Sequence, residues 1–341
     1  MITSISDTVQ CPLETAEKTR FAGGSLRETL YAFPVDILLE GELGAGKTTF
    51  LQAFAASLGI RDPISSPTFT LEQRMTTADS RSFVHLDLYR LAPAEAAAFL
   101  HATEEAVDIR CIEWPGNAKE YAWPRPRITI RLDDAAGGGR ILQAAFADIP
   151  LPTGEQIAEW RSLVHLPQHV VTHCDTVAAL ASDLAAYLAL RGTILRPAAL
   201  RAAGLLHDLL RYIDFRDGVE PANAPSETTK KAWAPWKDRY ADCRHEEACA
   251  RFLRERGFDA LAEIIVTHGL RLPPGRDARI EQKLLYYADK RVIGSCVATL
   301  DERFADFHKR YGATPFSSDG AVWYEQSKAV ERELFPDGVP L

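Results

Sequence analysis

The stretch Asp36–Phe50, DILLEGELGAGKTTF, constrains this chain more than any other. An apolar run over Ile37–Leu39 reads as a buried strand. It leads into Gly41-x-x-x-x-Gly46-Lys47-Thr48 and then into Phe50-Leu51-Gln52-Ala53-Phe54, which can continue as an amphipathic helix. Strand, glycine-rich loop and helix is the setting in which this pattern holds phosphate. The loop backbone from Gly41 through Gly44, Ala45, Gly46 and Thr49 can turn its N–H groups inward, and the helix N-terminus adds partial positive charge. Lys47 suits the β- and γ-phosphates and the Thr48 hydroxyl suits Mg²⁺. A chance match in a chain of this length has odds on the order of one per cent. The spacing therefore points to a nucleotide site.

A phosphate loop alone does not separate a kinase from a switch or an ATPase. Three features narrow it. Asp87 ends the strand pattern Ser82–Tyr89 and suits a carboxylate that holds Mg²⁺ through water. Glu113 ends the short strand Cys111-Ile112-Glu113 and suits a group that orients or deprotonates an attacking water. Ser66 and Thr68 fall on a loop where hydroxyls can sense a γ-phosphate. Residues 15–32 read as a helix interrupted near Gly23-Gly24, and Ile128–Leu132 with Ile141–Phe146 read as a hairpin around Gly137-Gly138-Gly139. The front half is α/β.

Pro150, Pro152, Thr153 and Gly154 break the pattern, placing a first domain at 1–149, a linker at 150–160 and a second domain at 161–341. The second part is helical in period over Thr172–Leu190, Pro197–Leu210, His245–Arg256, Asp259–His268 and Arg279–Leu300. Residues 216–244, rich in Pro, Trp and Lys, read as a surface loop or a lid. His173, His207-Asp208, His245, His268 and Asp289 each sit on an apolar helix face. One inward histidine is ordinarily a hydrogen-bonded core residue. Five helices each directing an imidazole or carboxylate inward need a shared partner, and a metal is the economical one.

GELGAGKTTF, SPTF, HLDLYRL and IEWP occur in this order and resemble the TsaE family, the small ATPases of the bacterial machinery that makes threonylcarbamoyladenosine in tRNA. The resemblance runs over about residues 10–148. It implies an α/β P-loop NTPase fold in which Lys47 and Thr48 bind ATP phosphates and Mg²⁺. Thr68 would belong to the γ-phosphate sensor, and Asp87 and Glu113 would serve hydrolysis with Trp114 beside them. The partners implied are TsaB- and TsaD-like proteins, with tRNA reached only through them. The family's glycine-containing "ELG" helix is replaced here by the alanine-rich run Ala94–His101.

The order H…HD…H…H…D resembles the HD-domain metal-dependent phosphohydrolases, all-α in fold, and within them the YqeK-type diadenosine tetraphosphate hydrolases. That likeness implies one metal on His173, His207, Asp208 and Asp289. Asp208 would bridge to a second on His245 and His268. The donor set suits Fe or Mn, with Zn a further candidate. Arg211 stands where relatives often carry lysine and would bind substrate phosphate, the substrate being a nucleotide or dinucleoside polyphosphate. Two other readings fit the residues: a nucleotide-gated assembly factor whose HD half is a metal-stabilised docking module, and a small-molecule kinase.

Charge and cysteines bound the rest. The formal net charge of −8 leaves no whole-chain basic field for nucleic acid. The six cysteines include no C-x-x-C pair, which argues against a zinc knuckle and for reduced, cytosolic thiols. The N-terminus lacks a basic start and an apolar core, and no stretch reaches membrane-span length, so a cytoplasmic protein without membrane contact is expected.

Overall fold

The computed structural model describes residues 7–67, 69–103, 107–215, 225–311 and 313–340; for 310, 311 and 313–319 it describes the backbone alone. The chain divides into two compact units, one of residues 7–149 with 186–197 and one of 150–185 with residues from 198 onward.

In the first unit, β1 (Asp7–Leu13), α1 (Ala16–Ser25), β2 (Val35–Glu40), α2 (Lys47–Ser57), β3 (Glu72–Thr76), β4 (Ser82–Asp87), α3 (Pro93–Ala102), β5 (Ile109–Glu113), β6 (Arg127–Asp134) and β7 (Arg140–Ala147) follow in order. The strands form one sheet, β1-β7-β6-β2-β5-β4-β3. β6, β2, β5 and β4 run parallel, and the outer pairs are antiparallel. Parallel strands covered on both faces should be apolar on both, and β2 is over Ile37–Leu39. Ile37 and Leu39 pack with Phe50 and Phe54 of α2, whereas Leu38 packs on the opposite face with Leu100 of α3 and Ile112. From β2 the chain crosses to the edge strand β3, returns through β4 and β5 to lie beside β2, and continues on its other side as β6 and β7. The loop after β2 therefore opens at the carboxyl ends of the parallel strands, where such sheets bind ligands.

The helix expected over 15–32 is not interrupted at Gly23-Gly24. It continues to Ser25 and then tightens into a 3-10 turn, Leu26–Thr29. Residues 186–197 are also part of this unit. Ala189 and Ile194 enter its core, and Arg196 makes a bidentate pair with Asp148 at 2.7 Å on both arms, both side chains fully buried. Arg196→Met would strand a buried carboxylate. We expect a loss of about 3–5 kcal/mol in chemical denaturation, with most of it recovered in the double variant Asp148→Leu/Arg196→Met. Additive losses in the double variant would show that the pair is not the cause.

The second unit holds α4 (Gly154–Leu163), α5 (Gln168–Leu190, whose last residues belong to the first unit), α6 (Pro197–Leu206), α7 (Glu227–Arg239), α8 (His245–Arg254), α9 (Asp259–Val266), α10 (Ile280–Lys290), the strand pair β8 (Val292–Ile293) and β9 (Cys296–Val297), α11 (Leu300–Tyr311) and α12 (Ala313–Leu334). Three expectations change here. The stretch read as a linker, 150–160, enters α4, whose start is a capping box: Gln156 N–H donates to Thr153 Oγ1, and Thr153 N–H donates to Gln156 Oε1. The helix expected over Arg279–Leu300 stops at Lys290, because Gly294-Ser295 turns the β-branched Val292-Ile293 back on Cys296-Val297. In the stretch read as a loop or lid, α7 forms. Its Trp233 is buried, stacks on Tyr212 at 4.5 Å between centroids and donates to the His165 carbonyl. Residues 216–224 of that stretch lie outside the described residues.

Candidate functional site

The first candidate site lies at the C-terminal ends of β2, β4 and β5. Gly41 starts the loop at φ +137°, where a Cβ would stand 2.4 Å from the Leu132 carbonyl oxygen, so only glycine fits. A cavity of about 400 Å³ opens over the loop. Leu43, Gly44, Ala45, Gly46, Lys47, Thr48 and Thr49 line it from the loop side, facing Ser66, Asp87, Tyr89, Glu113 and Trp114. Thr68 lies outside the described residues.

Two carboxylates meet there because of strand register. β4 and β5 pair in parallel with Asp87 opposite Glu113, so both side chains leave the sheet together at its edge. Asp87 accepts from Ser66 Oγ at 3.1 Å and from the Tyr89 N–H at 2.9 Å. Glu113 faces His85, whose Nε2 lies 3.0 Å from Oε1. Lys47 is buried, donates to the carbonyls of Gly41 and Glu42, and lies 4.1 Å from the Trp114 ring centroid. Burial pulls its pKa below the ordinary lysine value, against the opposing pull of Glu113, Asp87 and Glu42. Trp114 takes φ +60°, a conformation that a bulky residue rarely adopts, and its indole contacts Tyr89 at 5.0 Å. An ammonium, a hydroxyl, a ring of loop N–H groups and two carboxylates around one cavity can bind a metal–polyphosphate and set a water against it.

The second candidate site gathers residues from helix ends. His173 comes from the start of α5, His207-Asp208 follow α6, His245 opens α8, His268 follows α9, and Asp289 lies near the end of the wholly buried α10. Gly204 makes the α5–α6 approach close enough: a Cβ there would stand 2.7 Å from Ala178 Cα. His173 Nε2 lies 3.0 Å from Asp289 Oδ1. His207 Nε2 lies 3.7 Å from Asp289 Oδ1 and 3.8 Å from Asp208 Oδ2. On the other side, Asp208 Oδ1 is 3.1 Å from His245 Nε2 and 3.4 Å from His268 Nε2, and these two nitrogens are 3.2 Å apart. Asp208 thus faces both groups.

Hydrogen bonds on the far side of the His207, His245 and His268 rings test whether a cation fits. His207 Nδ1 is 2.8 Å from the Gly204 carbonyl and His268 Nδ1 is 2.7 Å from the Ile265 carbonyl. A carbonyl only accepts, so both Nδ1 atoms carry the proton and both Nε2 atoms present lone pairs inward in the neutral ring. His245 Nδ1 likewise faces the Asp214 carboxylate at 2.7 Å. Among the described residues, His207 Nε2 and Asp208 Oδ1 are buried without a hydrogen-bond partner. Ligand atoms about 2.1 Å from a metal stand roughly 3.0–3.4 Å from each other, which matches the Asp208–His245–His268 spacing. Burial disfavours charge on His207, yet Cys174, Asp208 and Asp289 together raise its proton affinity, and that same negative field would hold a metal. Asp208 and Asp289, though buried, are held well below the usual carboxylate range, chiefly by His207 and Lys290 respectively.

Arg211 lies in a 3-10 turn, Arg211–Asp214, with Nη1 2.9 Å from His245 Nε2 and Nε 3.9 Å from Asp208 Oδ2. Three further residues enter these sites that the sequence did not single out. His85 stands two before Asp87, and Asp214 holds His245. Lys290 pairs with Asp289 and donates to the His268 carbonyl at 2.8 Å. The available signal was position: each falls within six residues of a residue that was picked out. Among the described residues, no helix is long and apolar enough to cross a membrane.

The first unit is a phosphate-loop α/β unit, and the second is a mainly helical unit, carrying the short β8–β9 pair, with imidazoles and carboxylates gathered at one centre. Family comparison agrees: residues 13–142 match the model described as threonylcarbamoyl adenosine biosynthesis protein TsaE, and residues 170–292 match the HD domain. The tRNA threonylcarbamoyladenosine biosynthesis protein TsaE of Nostoc sp. is 45% identical over 107 residues, covering 30% of this chain and 65% of that protein. The protein of the same name from Treponema pallidum is 37% identical over 112 residues, covering 32% of this chain and 80% of its own. The chain thus spans just under two thirds of the first relative and four fifths of the second. A crystal structure of Bacillus subtilus YdiB aligns over 42% of this chain and 89% of its own, at 26% identity and TM-score 0.34. The chain belongs to the TsaE family and carries an HD domain behind the TsaE part.

Proposed function

We propose that the first unit hydrolyses MgATP in support of tRNA threonylcarbamoyladenosine formation, acting on TsaB- and TsaD-like partners and reaching tRNA only through them. The observation that carries the hydrolytic reading is the register pairing of Asp87 with Glu113 on the cavity that Lys47 and Thr48 also line. The loop backbone from Gly41 to Thr49 would cradle the phosphates, and Lys47 would take the β- and γ-oxygens. Thr48 and, through water, Asp87 would hold Mg²⁺, while Glu113 would orient and deprotonate the attacking water.

For the second unit we propose metal-dependent phosphohydrolysis of a nucleotide or dinucleoside polyphosphate. The supporting observation is the convergence of inward-facing Nε2 atoms on Asp208 with their Nδ1 atoms already bonded elsewhere. His173, His207, Asp208 and Asp289 would hold one ion, and Asp208, His245 and His268 a second. Fe or Mn suits this donor set, with Zn a further candidate. Bound there, such ions supply a hydroxide nucleophile at neutral pH and neutralise phosphate charge. Asp214 keeps the His245 ring turned so that Nε2 faces inward, and the Gly204 and Ile265 carbonyls do the same for His207 and His268. Arg211 would meet the substrate phosphate from the exposed side.

The test is phosphate release by the full chain from ATP with Mg²⁺, and from nucleotides and dinucleoside polyphosphates with Mn²⁺ or Fe²⁺. We expect the second activity to vanish on chelation and to return with Mn²⁺ or Fe²⁺. Release from none of these compounds with either metal would overturn the phosphohydrolase reading.

A further inference from the structure

We propose that His85 is a positioning residue of the nucleotide site, holding the Glu113 carboxylate so that one of its oxygens stays turned toward the cavity. The inference rests on the ATPase reading given above.

The sequence sets this up quietly. His85 stands two residues before Asp87 on β4, so the two side chains share a face of the strand. Glu113 lies opposite Asp87, which makes His85 its diagonal neighbour across the β4–β5 pair, within reach of a long side chain. Among Phe83, Val84 and Leu86, an imidazole breaks an otherwise apolar run, and its ring is fully buried.

Among the described residues, the ring makes one polar contact, Nε2 to Glu113 Oε1 at 3.0 Å, and its Nδ1 is buried without a hydrogen-bond partner. A buried N–H with no acceptor costs more than an unused lone pair, so the neutral ring keeps its proton on Nε2 and donates it to Glu113. An apolar residue would fill this place with no unpaired nitrogen. What the imidazole adds is a fixed donor to a carboxylate that lines the cavity beside Lys47, Thr48 and Trp114. With Oε1 tied back to His85, Oε2 is left to meet a water, and the carboxylate loses the freedom to rotate away. Asp87, by comparison, is held by Ser66 and the Tyr89 N–H. Each carboxylate therefore has its own anchor.

Positioning of this kind is felt in turnover more than in nucleotide binding, because the reacting water is aligned only when Glu113 is. The experiment measures kcat and KM for MgATP on the full chain for His85→Leu, His85→Gln, Glu113→Gln, the double variant His85→Gln/Glu113→Gln, and Lys47→Ala. His85→Leu should lower kcat about 10²-fold with KM changed by no more than about twofold. His85→Gln, whose amide can still donate, should recover roughly tenfold of that loss. On the Glu113→Gln background, His85→Gln should change nothing further. A wild-type kcat in His85→Leu, or full additivity in the double variant, would overturn the proposal while leaving the ATPase reading intact. Unchanged turnover in Lys47→Ala would instead remove the ATPase reading itself. If His85→Leu does not fold, His85→Gln and the double variant decide the matter alone.

Discussion

Lys47→Ala is expected to lower phosphate release from MgATP by about 10³-fold, the largest single effect in the first unit. In the structure Lys47 lines the cavity above the loop. It donates to two loop carbonyls, lies over the Trp114 ring and faces both Asp87 and Glu113. Removing it leaves two carboxylates at the cavity with no cation between them and an anionic substrate, so nucleotide affinity should fall along with turnover. Lys47→Arg should not restore activity, because a planar fork does not replace a compact charge in a space this enclosed. Phosphate-release kinetics and equilibrium nucleotide binding read both effects. Turnover unchanged in Lys47→Ala would contradict the assignment.

The second large effect is expected from Asp208→Ala. Its Oδ1 faces His245 and His268 while its Oδ2 faces His207, so one substitution strips a ligand from both groups. We expect metal-dependent phosphohydrolysis to fall by at least about 10³-fold, whereas ATP turnover stays within about twofold of the parent. The separation follows from placement: Lys47, Asp87 and Glu113 belong to one compact unit and the His/Asp cluster to the other. Loss of both activities in a folded Asp208→Ala chain would contradict that separation.

The sequence displayed what is local. Gly41 to Thr48 is one contiguous pattern, and the apolar strands that end in Asp87 and Glu113 announced themselves by composition. The inward histidines could be read because helical period puts each on an apolar face. Pairings between distant segments were harder. His85 looks like one polar residue in a strand until β5 is laid beside β4 and Glu113 comes within hydrogen-bond distance. Residues 186–190 end the helix that begins at Gln168, and it takes long-range contacts, the Arg196–Asp148 pair and the burial of Ala189 and Ile194 among them, to show that 186–197 complete the first unit. Some misses were local after all. Pro152-Thr153-Gly154 was read as a break, yet with Gln156 it is a helix start, and Gly294-Ser295 after the β-branched Val292-Ile293 marks a turn.

One chain is expected to hold two chemically distinct centres, the second built around metal. Elemental analysis of the full chain, purified without chelator, tests it most directly, with Asp208→Ala purified in parallel. We predict about two transition-metal ions per parent chain, Fe or Mn foremost, and almost none in the variant. A parent chain that carries no metal and takes up none on titration with Fe²⁺, Mn²⁺ or Zn²⁺ would contradict it.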